Sequence, residues 1–164
     1  MPSITGRRVT GVNVFEAELQ TDEGDPAGYN ASYLRLGPLI AGSKLGMTLY
    51  GLPPGQSICP YHYEYGNEEW LLVLEGTPTL RHPDGEDELE PGDFVAFPEG
   101  PAGTHKLTNR GEGRVLLGIM STKVDPSLAI YPDSNKIGAW SGPGESDKIM
   151  ARLGEDLDYW DGEL

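Results

Sequence analysis

Residues 55–76 read GQSICPYHYEYGNEEWLLVLEG and carry the densest chemical information in the chain. In a β-strand, residues two positions apart share a face, so His62 and Glu64 project together, away from the tyrosines around them. The run that follows alternates as well, which puts Glu69 on the same face as the apolar residues two and four positions later. The segment therefore predicts two short strands, each presenting a polar ligand-type side chain on one face.

The surrounding sequence predicts an all-β protein. The chain has 164 residues, about the size of one domain, and its 23 Gly and 14 Pro follow no period, which disfavours long helices. Short β-like runs are separated by turn residues, and Pro83-Asp84-Gly85 predicts a tight hairpin. This pattern is typical of a sandwich, jelly roll or barrel. The predicted strands are ASYLRLG, SKLGMTLYGL, EEWLLVLEG, TPTLRH, DFVAFP, THKLTNR and GRVLLGIM.

We expect three parts along the chain. Residues 1–28 show no sustained period and form an N-terminal arm, whereas residues 29–122 hold the predicted strands of the barrel. After Thr122 the apolar pattern breaks into single aromatic residues, so residues 123–164 are expected to form a C-terminal tail that packs on the barrel or on a partner subunit.

Charge and composition exclude several classes of function. With 12 basic and 26 acidic residues, the formal net charge is −14 and the isoelectric point is about 4.4. Nucleic acids and anionic membranes attract the opposite charge, so neither is an expected partner. The single cysteine, Cys59, cannot form an internal disulfide and is interpreted as a small core residue. Without a membrane-length apolar run or a secretory signal, a cytoplasmic protein is expected.

A second segment adds another imidazole. In the predicted strand THKLTNR, residues 104–110, His105 and Leu107 share a face. Two imidazoles and one or two carboxylates that converge on a point form a familiar site for a divalent transition metal. The sequence therefore predicts a metal site built from both segments.

The two segments together resemble the two motifs of the cupin superfamily. Residues 55–76 resemble the first motif, G-x5-H-x-H-x(3,4)-E-x6-G, and residues 92–109 resemble the second, G-x5-P-x-G-x2-H-x3-N. Six residues instead of five precede His62, and four instead of two precede His105 after Gly100, which are insertions that loops absorb. The resemblance implies a double-stranded β-helix, that is, a jelly-roll barrel.

The resemblance also implies a set of metal ligands. Carried over position by position, the ligands are His62, Glu64, Glu69 and His105, with Glu64 standing where the motif has its second histidine. Two carboxylates would neutralise a divalent cation and favour a harder metal, Fe(II) or Mn(II), while Zn(II) and Ni(II) stay open.

The role of Glu64 has alternatives. If it stays uncoordinated, the other three ligands form the facial triad of non-haem iron oxygenases, and Glu64 is free to act as a catalytic general base. A buried carboxylate without a metal needs another partner, and Lys44 or Lys106 could form a salt bridge with it.

The resemblance implies two classes of function. One is a metal-dependent enzyme, of the dioxygenase, isomerase, lyase or decarboxylase type, acting on a small organic molecule inside the barrel. The other is a non-catalytic module that binds or senses a small ligand or a metal. Many small cupins are dimers, so a homodimer is expected. The expected barrel wall is mostly apolar and consists of Met47, Leu49, Leu71, Val73, Phe94, Phe97 and Leu107.

Overall fold

The computed structural model describes residues 10–142, 145–154 and 157–163. Within these residues the chain forms twelve strands and three short 3-10 turns. The strands are β1 (Ser32–Arg35), β2 (Leu45–Leu52), β3 (Tyr63–Tyr65), β4 (Glu69–Glu75), β5 (Thr79–His82), β6 (Gly85–Glu88), β7 (Phe94–Phe97), β8 (Lys106–Thr108), β9 (Val115–Thr122), β10 (Ser127–Tyr131), β11 (Lys136–Ser141) and β12 (Asp147–Arg152).

The strands form two layers of antiparallel sheet. One layer is a five-stranded sheet in the order β1-β2-β9-β4-β7. The other layer contains a three-stranded sheet, β6-β5-β8, and a four-stranded sheet, β12-β11-β10-β3. An isolated bridge between His62 and His105 joins these two smaller sheets, because each residue donates its backbone N–H to the other's carbonyl, at 3.1 and 2.8 Å. The architecture is the predicted all-β jelly-roll barrel.

The core lies between the two layers, and β4 shows how the sequence directs residues into it. Leu71 and Val73 are 0% and 1% exposed. Trp70, which lies between Glu69 and Leu71, is 43% exposed and faces outward. This alternation confirms the predicted inner face of the strand. Burial of these side chains removes apolar surface from water, which is the main favourable contribution to folding.

The predicted hairpin is also confirmed. β5 and β6 pair in register from Thr79 opposite Glu88 to His82 opposite Gly85, with Pro83 and Asp84 forming the turn. The sequence positioned this turn correctly because Pro, Asp and Gly each favour turn conformations for a separate physical reason.

The barrel-wall prediction is wrong for three residues. Phe94 lies opposite Leu72 on the outer face of the five-stranded sheet, is 53% exposed and contacts Trp70 edge-on at 5.5 Å between ring centroids. The register of β2 with β9 and of β9 with β4 puts Met47 and Leu49 on this same outer face, where Leu49 is also buried but outside the core cluster. The local sequence did not determine which face of these two strands lies inside the barrel. The other predicted wall residues are buried: Leu71, Val73, Phe97 and Leu107.

The segment after Thr122 contains three strands that its sequence pattern did not predict. β10 pairs with β3, with Ala129 opposite Glu64, so this segment lies directly against the metal-motif strand of the same chain. Near the other end, Gln20 forms an isolated bridge with Tyr33 of β1. Residues 1–9, 143–144, 155–156 and 164 of the expected arm and tail lie outside the described residues. No helix of the described part of the chain is long and apolar enough to cross a membrane.

Candidate metal centre

The two motif histidines face each other across a backbone bridge. His62 lies directly before β3 and His105 directly before β8, and their backbones exchange both hydrogen bonds of an antiparallel pair. Directly opposed residues in such a pair project to the same face. The two imidazole rings accordingly lie 4.7 Å apart between centroids, inside the barrel, with His62 7% and His105 2% exposed.

Glu69 brings a carboxylate to the same point from the opposite layer. It is the first residue of β4, lies opposite Phe97 of β7 and Ser121 of β9, and shares their inward face. One of its oxygens, Oε2, lies 3.5 Å from Nε2 of His105. The ligand atoms of His62, Glu69 and His105 all lie within 4.8 Å of one another, so these three residues could hold a metal ion.

The hydrogen bonds of the histidines suit metal binding. Nδ1 of His62 lies 2.9 Å from the carbonyl oxygen of Pro60, and Nδ1 of His105 lies 2.9 Å from that of Gly103. A carbonyl only accepts, so each Nδ1 carries the proton and each Nε2 presents its lone pair. Nε2 of His105 is buried without a hydrogen-bond partner, which is a costly arrangement unless a cation binds there. The donor set therefore fits a divalent transition metal.

Aromatic side chains fix the orientation of both imidazoles. The Phe97 ring stacks on His105 with centroids 3.7 Å apart and an angle of 7° between the planes. On the other side, Tyr131 of β10 stacks on His62 at 5.7 Å and 21°. These contacts, together with the carbonyl hydrogen bonds, leave the two rings little freedom to rotate.

Burial also controls the charge of the cluster. Burial raises the pKa of Glu69 to about 8, and the nearby Glu64 carboxylate adds to this rise. Burial lowers the pKa of His105 to about 3, with a further contribution from His62. The pKa of His62 is likewise lowered by burial. Carboxylates that resist ionisation next to imidazoles that resist protonation form a site in which a cation stabilises the ligand forms of all of them.

Glu64 lies at the edge of this cluster. Its Oε1 is 4.0 Å from Nε2 of His62, but the residue lies outside the group of three whose ligand atoms converge. Its side chain is 23% exposed, and burial raises its pKa against the opposing effect of the Asn67 side chain. The two lysines considered as alternatives do not contact Glu64 among the described ion pairs, and Lys106 donates instead to the Tyr29 hydroxyl at 3.2 Å.

Three further residues around the cluster were not predicted as part of it. Tyr131 contacts His62 from the C-terminal segment, and Sγ of Cys59 lies 3.6 Å from Nδ1 of His62. Tyr50 of β2 is partly buried, and this burial raises its pKa, with Cys59 and Glu69 adding to the effect. The predicted inward positions of Met47 and Leu49 put Tyr50 on the outer face, whereas the register of β2 with β9 and of β9 with β4 puts it on the inner face with Val73; nothing local to the sequence indicated Tyr131.

The third histidine lies away from the cluster. His82 ends β5 at the hairpin, with Nε2 3.1 Å from Oδ2 of Asp87. His82 is accordingly not a member of the three-residue cluster.

Comparisons with known proteins agree with this fold. The sequence model of one family, described as Cupin domain, matches residues 48–121. A sugar phosphate isomerase of the cupin superfamily from Silicibacter pomeroyi is 26% identical, with a TM-score of 0.77 over 91% of this chain and 97% of that one. A structure from Acidithiobacillus ferrooxidans is 24% identical, with a TM-score of 0.73 over 80% and 81%.

A polyketide cyclase from Streptomyces resistomycificus shares the fold at 20% identity, with a TM-score of 0.56 over 71% of this chain and 82% of that one. A comparison with curated proteins found no match. The solved structures with this architecture thus include both a sugar phosphate isomerase and a polyketide cyclase.

Proposed function

We propose that the chain is a metal-dependent enzyme of the cupin superfamily that acts on a small organic molecule held inside the barrel. The observation that carries this proposal is the convergence of His62, Glu69 and His105, with their ligand atoms within 4.8 Å of one another. The unpartnered, buried Nε2 of His105 supports it, since a structural histidine at this depth normally has both ring nitrogens satisfied.

The ligand set favours Fe(II) or Mn(II). Two imidazoles and one carboxylate on one side of an ion leave coordination positions free on the other, an arrangement typical of these metals, and Zn(II) and Ni(II) also accept such ligands. When bound, the ion supplies Lewis-acid polarisation of a substrate carbonyl or hydroxyl oxygen. His62, Glu69 and His105 hold it, and the carbonyls of Pro60 and Gly103 keep the histidines in the correct tautomer.

Glu64 is proposed as the residue that moves the proton. Its carboxylate reaches to 4.0 Å from Nε2 of His62 while remaining outside the converging group, so it is near a bound substrate without being needed as a ligand. A carboxylate in this position accepts a proton from the carbon beside a carbonyl and returns it to the former carbonyl carbon. In the same process the hydrogen of the neighbouring hydroxyl passes to the former carbonyl oxygen, and the hydroxyl oxygen becomes the new carbonyl. No external oxidant is needed.

This isomerisation is the reaction type that we favour within the cupin range. The Silicibacter pomeroyi protein, a sugar phosphate isomerase, aligns along nearly its whole length with this chain at 26% identity. The alternative remains a non-catalytic binding module, in which the same three residues hold a metal or the barrel holds a ligand without turnover.

The first test is the metal content of protein purified without an affinity tag, measured by plasma mass spectrometry. We expect about one Fe or Mn ion per chain, lost in His62→Ala and in His105→Ala. His82→Ala is the matched control, because the third histidine pairs with Asp87 at the hairpin and should keep full occupancy. A chain that takes up no metal on titration, or loses it equally in all three variants, would contradict the proposal.

The second test is proton exchange. The metal-loaded protein is incubated with hydroxy-aldehydes in D2O, and deuterium entering the carbon beside the carbonyl is followed by NMR. We expect incorporation that requires both the metal and the Glu64 carboxylate. Stoichiometric metal without any exchange would favour the binding module over the enzyme.

A further inference from the structure

A polar cavity lies between the end of β9 and the C-terminal strands. Its volume is about 220 Å³, below the range of roughly 300–1,000 Å³ that holds drug-sized ligands, so it suits a small molecule. The side chains that matter here carry hydroxyls, one amide and one indole: Asn67, Ser121, Thr122, Ser127, Trp140 and Ser141.

The cavity adjoins the metal centre through β9. Ser121 lies opposite Glu69 in the adjacent strand β4, so both side chains project from the same inner face of the sheet. Asn67, two residues before Glu69, fixes the rim, because its Oδ1 accepts a hydrogen bond from the backbone N–H of Val124 at 2.9 Å. The lining residue Ser121 is therefore one strand away from the proposed metal ligand Glu69.

The C-terminal sheet brings Trp140 to the same side as Glu64. Glu64 lies opposite Ala129 of β10, and Ala129 lies opposite Gly138 of β11. The six-membered ring of Trp140 lies over Gly138, where any side chain would collide with it. Two strand spacings thus separate the indole from Glu64, roughly 10 Å. The indole occupies the space that a side chain at position 138 would fill, so this position requires glycine.

This combination of groups matches a sugar better than a flat aromatic acid. The flat face of an indole packs against the C–H face of a sugar ring. Hydroxyl side chains both donate and accept hydrogen bonds, as sugar hydroxyls require, and the Asn67 amide, whose Oδ1 accepts the Val124 N–H, adds N–H donors. A flat aromatic acid would leave most of these hydroxyls without a partner.

The charges around the cavity disfavour an anion. Lys123 is the one basic residue among the described lining residues, against two acidic ones, Asp125 and Glu145. The Asp125 carboxylate accepts the backbone N–H of Gly142 at 3.1 Å and so stays close to the cavity wall. With a formal net charge of −14 on the whole chain, a phosphate group would enter an unfavourable potential.

We propose that this cavity binds an uncharged monosaccharide, with its ring stacked on Trp140 and its hydroxyls bonded to the serines and to Asn67. The sugar's carbonyl end then points past Ser121 toward the metal centre. That the bound sugar is also the substrate rests on the proposed function, whereas the binding itself does not.

The experiment uses Trp140 as the reporter. The chain has three tryptophans, and Trp70 and Trp160 are both exposed, so Trp70→Phe with Trp160→Phe leaves Trp140 as the sole emitter. The full-length variant, with and without added Mn(II), is titrated with the common aldopentoses and aldohexoses. D-glucose 6-phosphate tests the anionic form, and 4-hydroxybenzoate tests the aromatic acid.

We expect a saturable change in Trp140 emission with at least one neutral sugar, and weaker binding of the phosphate and of the aromatic acid. In calorimetry on the otherwise unchanged chain, Trp140→Leu should weaken sugar binding about tenfold. Trp70→Leu, on the outer face of the barrel, should leave it unchanged. If Trp140→Leu fails to fold, Ser127→Ala gives the same comparison with a smaller loss.

Two results would overturn the proposal: no saturable response to any of the neutral sugars, or tighter binding of the 6-phosphate or the aromatic acid. Unchanged sugar affinity in both Trp140→Leu and Ser127→Ala would also overturn it, because the sugar would then bind elsewhere. Sugar binding to protein that never takes up metal would leave this inference standing and sink the proposed enzyme function. Metal binding without any sugar response would overturn this inference and leave the proposed enzyme function standing.

Discussion

Phe97 and Phe94 form a natural pair of test sites, since they lie on one strand, β7, but on opposite faces. Phe97 is 5% exposed and stacks on His105, whereas Phe94 is 53% exposed on the outer face. Replacing a buried Phe with Ala removes its transfer free energy and leaves a cavity, together about 3–5 kcal/mol. The half-exposed ring loses about 1 kcal/mol, because less apolar area is involved and no closed cavity remains.

The assay is urea unfolding of the metal-free protein, followed by circular dichroism. For a chain of this size the free energy of unfolding falls by roughly 2 kcal/mol per molar urea. Phe97→Ala should therefore lower the unfolding midpoint by about 1.5–2.5 M, and Phe94→Ala by about 0.5 M. Both variants carry the same Phe→Ala change, so the difference between their unfolding midpoints reports the difference between the two faces of the strand.

Metal binding supplies a second readout for the same pair. Phe97 holds the plane of the His105 imidazole, and loss of such a supporting contact weakens metal affinity by about tenfold or more. Phe94 touches no ligand, so Phe94→Ala should bind the metal as the wild type does. Equal midpoint shifts in the two variants, or equal metal affinities, would refute the assignment of inner and outer faces and with it the stacking of Phe97 on His105.

The remaining predictions concern the metal site and one turn. Glu69→Gln should lower the affinity for Mn(II) in calorimetry by at least about tenfold, and unchanged affinity would remove it from the ligand set. Glu64→Gln should bind the metal with unchanged stoichiometry but lose proton exchange in D2O, whereas lost stoichiometry would make it a ligand. Gly76→Ala should destabilise the fold by about 2 kcal/mol or more in thermal unfolding, because Gly76 has a φ of +76° and an added Cβ would lie 2.6 Å from the carbonyl oxygen of Arg114. A melting temperature equal to that of the wild type would contradict this.

The sequence predicted the barrel and the inward histidines because both depend on local information. Motif spacing distinguishes Glu69 from its neighbour Glu68, and the turn residues at 83–85 end one strand and begin the next. The motif spacing then brought His62 and His105 into one interpretation, although 42 residues separate them in the chain.

What the sequence did not predict depends on pairing between distant segments. Tyr131 and Trp140 reach the region of the metal centre only because β10 pairs with β3, and no local periodicity marks β10 as its neighbour. The outward position of Phe94 has the same origin. The run FVAF is apolar at every position, so only its register with β4 decides which of its aromatic rings enters the barrel.

The backbone bridge between His62 and His105 has a consequence for selectivity among ions. Two hydrogen bonds fix the distance between these residues before any ion arrives, so the separation of the imidazoles belongs to the sheet and not to the side chains. Glu69, in contrast, approaches from the facing layer on a flexible stem. The two histidines are thus held rigidly, whereas the Glu69 carboxylate can adjust its position. Ions of different radius would be accommodated by movement of the carboxylate, and the conformational entropy lost on binding would come mainly from Glu69 because the two histidines are already fixed.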